Sequence, residues 1–383
     1  MQLEKAVDAF RQLMQDQLSR LDSLKAQDNW VDYTKKDHIV VGICPGDGIG
    51  PSITYQAQRV LEHVLSSDIQ SNKITLKLID GLTIENRAKH NQAIPKEVLD
   101  QLKKCDVILK GPTTTPQKGD SWPNIESANV AMRRELDLFA CVRPIKVVEK
   151  SIDWVFFREN TEGAYALGSK GLLLEDDLSV DFKVITRPGA ERIIRMAFEY
   201  ARRNKRRRVS VVTKSNVIKT SDGLFSDVAK QVASEYECYG ITCDEWYIDI
   251  MTAKLLDERR AKEFEVFVLP NLYGDILTDE AGQIQGGVGT AGSSNIGKRY
   301  AMFEAVHGSA PRMLQEKRDQ FADPSSMIKA ASMLLNHVGY TKSSQKIDTC
   351  LEQLSLSKDN LITGHSDGLT AQEFTDNLIR LLS

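Results

Sequence analysis

Leu3, Val7, Phe10, Met14, Leu18, Leu21 and Leu24 recur at three- and four-residue steps near the start of the chain. That spacing lines one face of an α-helix and predicts an amphipathic helix over 3–25. Its apolar stripe could pair with another chain as a short coiled coil, but docking on the chain's own domain is the preferred reading. Residues 28–36 then connect the helix to the main body. From His38 the pattern changes to short β-branched runs, at 38–43, 75–78, 107–109, 155–157, 208–212 and 265–269, separated by helical stretches such as 52–65. A long helix follows over 327–338 and a terminal one over 371–382, with no internal repeat or low-complexity linker. Alternating strands and helices imply an α/β fold with a largely parallel sheet.

The chain has 383 residues, 41% of them hydrophobic, which is long for one compact domain and makes two lobes the expectation. Fifty Lys and Arg against 53 Asp and Glu leave a net charge of -3, so neither a nucleic acid nor an anionic membrane is expected as partner. The one dense basic block, 202–208, ends a helix, where cations beside exposed carbonyls are favourable, and reads as a solvated face. The six cysteines show no C-x-x-C spacing and read as buried thiols in a reducing compartment. No apolar run approaches the roughly 20 residues of a membrane span. The start of the chain lacks the layout of a secretory signal, and Glu4, Asp8 and Asp16 argue against a transit peptide. A cytoplasmic location is expected, and an organelle matrix is also compatible.

Four features carry candidate chemistry. Gly46-Asp47-Gly48-Ile49-Gly50 follows a strand, but its glycine spacing fails the G-x-G-x-x-G pattern and Pro51 stands where a helix begins, so it reads as a tight turn. Asp275 and Asp279 stand four apart on one helical face just after Gly274, which suits a hard cation such as Mg²⁺ or Mn²⁺ as well as an ordinary surface acidic pair. Arg133, Arg143 and Arg158, near Ser127 and Asn129, suggest a substrate with several carboxylates, because the guanidinium fork grips carboxylates and stays charged when desolvated. Tyr165 and Lys214 can exchange protons near neutral pH if a metal or a desolvated cleft shifts them.

The order of motifs resembles the isocitrate and isopropylmalate dehydrogenase family from about His38 to the C-terminus. The motifs are Pro45 to Pro51, Lys110-Gly111-Pro112-Thr113-Thr114-Thr115-Pro116, Ser127-x-Asn129 with Arg133 and Arg143, Arg158-Glu159-Asn160-Thr161-Glu162, Asn271 to Asp279, and His307-Gly308-Ser309-Ala310-Pro311. The resemblance implies a two-lobed α/β fold with a largely parallel mixed sheet that is not the Rossmann arrangement. It implies an N-terminal helical extension over 1–36, a large cofactor-binding domain from 37–138 and 286–383, and a small domain over 139–285 with a dimer-forming clasp. Ser127, Asn129, Arg133, Arg143 and Arg158 would hold substrate carboxylates. Tyr165 and Lys214 match the catalytic pair, and Asp249, Asp275 and Asp279 match the metal carboxylates. Lys214 and Asp249 would reach across from the partner of a homodimer.

The resemblance further implies oxidative decarboxylation of isocitrate, a step of the tricarboxylic acid cycle, since Ser-x-Asn replaces the acidic, leucine-rich face of isopropylmalate enzymes. Isopropylmalate, homoisocitrate, D-malate or tartrate stay open as substrates, as does a non-catalytic regulatory subunit. Ile49, Thr115, His307, Gly308, Ser309, Ala310, Arg312 and Asp323 match the cofactor contacts. Arg312 stands where NAD-type members carry an aspartate for the ribose hydroxyls, and an arginine can grip a 2'-phosphate instead. NADP is therefore favoured over NAD.

Overall fold

A computed structural model of the chain describes residues 2–25, 30–117, 119–167, 171–174, 177–287, 291–356 and 360–383. Asp28 and Asn29 of the expected connection, and the side chain of Leu3, lie outside the described residues. The fold is α/β, as the alternation of short apolar runs and helices requires. The chain forms two compact units, Trp30–Leu138 with Gly282–Ser383, and Met1–Asn29 with Phe139–Ala281.

In the first of these units the strands Ile74–Leu78, Ile39–Cys44, Val107–Lys110, Ala301–Ala305 and Gly292–Ile296 lie side by side in that order. All neighbours are parallel except the last pair. Every residue of Val107–Lys110 and Ala301–Ala305 is buried, as befits central strands covered on both faces. The two-residue period of a strand sorts them: Val107, Leu109 and Phe303 face one core with Ile53, Leu334 and Leu378 of the covering helices, and Ile108 and Met302 face another with Val98 and Met132. Each such side chain contributes roughly 1.5–3 kcal/mol by leaving water. The helix Gly50–Val64 carries Pro51 in its first turn. The terminal helix Ala371–Leu382 starts on a capping box in which Glu373 N donates to Thr370 Oγ1 at 3.2 Å and Thr370 N donates to Glu373 Oε2 at 2.9 Å. The long helix is Ser325–His337, and a further one, Thr341–Ser355, follows it. That second helix escaped the periodicity because Ile347, Cys350 and Leu354 are its few buried apolar residues among many polar ones.

In the other unit the order is Ala140–Val147, Ile152–Glu159, Val266–Leu269, Arg208–Thr213, Thr242–Tyr247. The first pair is antiparallel and the rest are parallel. A hairpin of Leu172–Leu174 and Leu178–Val180 stands apart from this sheet. The helix Gln2–Lys25 docks on its own unit through buried Leu13 and through Phe10, whose ring lies 5.1 Å from Phe182, while Val7, Met14 and Leu18 stay exposed.

The basic block is tied down by local acids. Arg202 and Arg203 bond Glu199, Arg206 bonds Asp153 and Arg208 bonds Asp244. All six cysteines are free thiols, but only four are buried. Cys238 and Cys243 are exposed, which corrects the expectation of buried thiols: both follow the end of the helix Ser221–Tyr236, Cys243 in a strand whose residues are partly uncovered. Among the described residues no helix is long and apolar enough to cross a membrane.

Candidate active site

The helix Asn271–Gln285 can approach the strand end at Arg158 because residue 274 is glycine: a Cβ there would fall 2.5–2.6 Å from Arg158 Cγ and Cβ. That approach brings Asp275 onto Arg158, whose Nη1 bonds the Asp275 carboxylate. Tyr165 donates its hydroxyl to the other oxygen of Asp275 at 3.0 Å. One turn later Asp279 accepts from Arg143 Nη1 at 3.1 Å, and the same nitrogen donates to Thr278 Oγ1 at 2.5 Å. The two arginines are buried, with 1% and 8% of their side chains exposed, whereas Asp275 and Asp279 are 40% and 64% exposed. Behind them Asn271 Oδ1 accepts from Arg158 Nε at 2.9 Å and Nη2 at 2.7 Å. A buried guanidinium needs such partners, because an uncompensated interior charge is costly.

Just past the end of Arg208–Thr213, two strands over from Ile152–Glu159, Lys214 Nζ donates to Asp249 Oδ1 at 2.6 Å. The Lys214 hydrogen bond holds the Asp249 carboxyl below its usual range. Lys214 N donates to Asp222 Oδ2 at 2.8 Å, and Tyr273 donates its hydroxyl to the same oxygen at 2.9 Å. Asp222 is fully buried, and nothing in the sequence marks it, since an aspartate in the first turn of a helix is ordinary. The chain therefore gathers Asp275 with Arg158 and Tyr165, Asp279 with Arg143, and Asp249 with Lys214. Among the described residues no three His, Cys, Asp or Glu side chains converge at a metal-holding spacing.

The other unit builds its part of the motif set from backbone. Gly46 and Gly48 adopt φ of +77° and +60°, and a Cβ at Gly48 would lie 1.9 Å from the Ser309 carbonyl oxygen. Only glycine meets both demands. Ile49 N donates to that same carbonyl at 3.0 Å, and Thr114 and Ser309 hydroxyls bond at 2.9 Å. Asp47, inside the turn, accepts from Thr114 N at 2.7 Å and Ile84 N at 2.8 Å. Burial raises its carboxyl above the usual range, against the pull of these N–H donors. Arg87, fully buried, donates to the carbonyls of Ala93, Thr114 and Glu126 at 2.8, 2.7 and 3.0 Å. It too is absent from any motif. The Gly46–Gly50 turn, the Lys110–Pro116 loop and Ser309 are thus one bonded assembly.

Thr115 is exposed beside it. His307 lies with Nδ1 3.0 Å from the Gly308 carbonyl, and a Cβ at Gly308 would meet nothing within 4 Å. Ala310 is left-handed at φ +45° and leads into the short helix Pro311–Gln315. Arg312 is 85% exposed and donates to Glu316 at 2.7 Å. Asp323 accepts from Ser325 N at 2.8 Å, and burial raises its carboxyl above the usual range.

Ser127 precedes the helix Ala128–Glu135 without capping it through its side chain. Asn129 accepts from Thr113 Oγ1 at 3.2 Å. Arg133 is buried, reaches Glu304 with a long 3.4 Å bond, and leaves its Nε buried without a hydrogen-bond partner. Glu304 also takes Lys110 Nζ at 3.3 Å and Asn295 Nδ2 at 2.8 Å. Arg134, by contrast, forks onto Glu126 at 2.8 and 3.0 Å and is an ordinary helix-surface arginine.

The model of the isocitrate/isopropylmalate dehydrogenase family matches residues 40–378. The NADP-type isocitrate dehydrogenase of Rickettsia bellii is 38% identical over 308 residues, 78% of this chain and 59% of that enzyme. The homoisocitrate dehydrogenase of Methanocaldococcus jannaschii is 34% identical over 83% of this chain and 90% of its own length. The mitochondrial NAD-type isocitrate dehydrogenase subunit 2 of Saccharomyces cerevisiae is 36% identical over 89% and 90%. The chain thus spans 59% of the length of the Rickettsia relative. The crystal structure of isocitrate dehydrogenase from Methylococcus capsulatus superposes with a TM-score of 0.78 at 32% identity, over 90% of this chain and 99% of that one.

Proposed function

Because the chain belongs to the isocitrate/isopropylmalate dehydrogenase family, we propose that it converts isocitrate and NADP⁺ into 2-oxoglutarate, carbon dioxide and NADPH, with a divalent cation held by Asp275 and Asp279. The observation that carries this reading is the pairing of Arg158 with Asp275 and of Arg143 with Asp279. Each pair joins a group that suits an anionic substrate to a group that suits a cation. When cation and polycarboxylate arrive together, carboxylates and arginines exchange partners without leaving a buried charge alone. Two carboxylate donors one turn apart and open to solvent fit Mg²⁺ or Mn²⁺, which take oxygen ligands and keep room for substrate oxygens. Asp249 is the proposed third ligand, given across a homodimer together with Lys214.

The bound cation supplies Lewis-acid polarisation, and the nicotinamide supplies the hydride acceptor. The chain's own residues do the rest. Arg133, Arg143 and Arg158, with Ser127 and Asn129, orient the substrate carboxylates. The unpartnered Nε of Arg133 is a donor in want of such a group. Lys214, directly or through Asp249, takes the proton from the 2-hydroxyl. Tyr165 returns a proton to the substrate carbon once carbon dioxide has left. Ile49, Thr115, His307, Gly308, Ser309, Ala310, Arg312 and Asp323 form the proposed cofactor site. Arg312, exposed and held by one acid, favours a 2'-phosphate and hence NADP over NAD.

Steady-state turnover tests the reading, with isocitrate, homoisocitrate and isopropylmalate each offered with Mn²⁺ and NADP or NAD. The expected result is preferred turnover of isocitrate that chelation abolishes. Preferred turnover of another acid, or dependence on an added second subunit, would overturn it. Mixing inactive Lys214→Met and Tyr165→Phe chains should restore part of the activity if the site is shared between copies.

A further inference from the structure

The proposed chemistry leaves the first helix without a task, yet that helix touches the centre of the Arg158–Tyr165 motif. Arg20, near its end, donates from Nη1 to Glu162 Oε1 and from Nη2 to Thr161 Oγ1, both at 3.0 Å. Glu162 is fully buried and Glu159 is 1% exposed. The Glu159 carboxylate accepts from Thr161 Oγ1 and Glu162 N at 2.7 Å each, and that of Glu162 accepts from Thr186 N at 2.8 Å. Two interior carboxylates so close need positive charge nearby. Arg192 supplies part of it, with Nη2 2.9 Å from Thr161 Oγ1, and Arg20 adds to it from outside the motif.

From this cluster hydrogen bonds lead directly to the proposed reacting groups. The Glu162 carbonyl accepts from Asn271 Nδ2 at 3.0 Å. Asn271 Oδ1 accepts from Arg158, and both Arg158 and Tyr165 bond Asp275. Gly163, at φ +79°, lies so close to Asn271 that a Cβ would come within 3.1 Å of its side chain. The segment therefore cannot shift without disturbing Asn271 and, through it, Arg158.

We infer that Arg20 is a positioning residue: by bonding Glu162 and Thr161, the N-terminal helix holds the segment 158–165 where Arg158 and Tyr165 meet Asp275. Leu13 is the one buried side chain among those described in that helix, and the Arg20 contacts add to its attachment. The inference rests on the proposed function only in naming Arg158 and Tyr165 as substrate-handling groups.

The test compares full-length wild type with Arg20→Met and Arg20→Lys by amide hydrogen exchange and by steady-state kinetics with isocitrate, Mn²⁺ and NADP. Arg20→Met should speed exchange across 158–165 by about tenfold while strand 208–213 is unchanged, and should lower kcat roughly 3- to 30-fold. Arg20→Lys should recover much of both. Release of helix 2–25 with exchange in 158–165 and kcat within about twofold of wild type would overturn the inference and leave Arg20 as a simple fastener. If Arg20→Met fails to fold, the Arg20→Met/Glu162→Gln double variant, which leaves no unpaired Glu162 charge, is judged by the same two readouts. If the wild type ignores isocitrate, the substrate assignment fails, and the exchange measurement alone decides the role of Arg20.

Discussion

The carboxylate-bearing helix of one unit and the glycine turn of the other are built on opposite principles. Asp275 and Asp279 are half-open side chains tied to arginines by ion pairs, a contact that can change partners. Gly46 meets the Gly111–Pro112 backbone and Gly48 meets that of Ser309, with no space for a Cβ at either glycine. Exchangeable charge suits a place where ions and substrate come and go. Fixed backbone suits a surface whose shape has to be ready beforehand.

The exchangeable side should fail in catalysis. Lys214→Met should cut kcat roughly 10²- to 10⁴-fold, the usual loss of a general base, if Lys214 has the proposed role, while the thermal midpoint stays near that of wild type, because its partner Asp249 is exposed and stays solvated. A cooperative loss of fold in a melting curve would show that Lys214 is part of the scaffold instead. The fixed side should fail the other way. Gly48→Ala adds a Cβ onto the Ser309 carbonyl at a left-handed φ and should cost about 3 kcal/mol of stability, read by denaturant unfolding, before any kinetic constant is considered.

Acid offers a third way to separate the two regions. His337 lies 5.1 Å from the Tyr33 ring and 5.5 Å from that of Phe303, and burial lowers it to about 4 from an ordinary 6.5. The unfolded chain then binds the extra proton first, so His337 contributes stability that is present above pH 6.5 and lost as pH falls toward 4. The loss should reach up to about 3 kcal/mol and should vanish in His337→Gln, as followed by unfolding at stepped pH. Glu159, in the other unit, is shifted upward, first by burial and then by the charge of Glu162. Its contribution therefore has the opposite sign and declines as pH rises above the ordinary carboxylate range. A smaller change is expected at Arg312, an exchangeable ion pair one residue beyond the motif ending at Pro311. Arg312→Asp should shift the NADP-to-NAD preference about tenfold in kcat/KM toward NAD, and an unchanged ratio would remove Arg312 from the proposed cofactor site.

Much of the fold was legible in the sequence because its signals are local. The strand runs of 107–109 and 208–212 and the terminal helix 371–382 appear within a residue or so of their expected bounds, since period and capping act over a few residues. The helix Thr341–Ser355 is not legible in the periodicity, because its apolar stripe is sparse. At the site, the spacing of Asp275 and Asp279 was readable as a single helical face, but the arginine that each one meets was not. Those partners lie 117 and 136 positions away in sequence, brought near by the strand order. Buried Arg87 and Asp222 carry no sequence mark at all, because a charge in the interior is defined by what surrounds it.

The family, the alternation of elements and the residue types available for chemistry follow from the order of amino acids, since these rest on local period and on ordered motifs. Tertiary structure alone decided which charges are paired and which stay open. It set Lys214 on Asp249, Tyr165 on Asp275 and Arg20 on Glu162, contacts that span 35, 110 and 142 positions. Charge interactions depend on distance and burial, and neither is a property of a residue until the chain has closed around it.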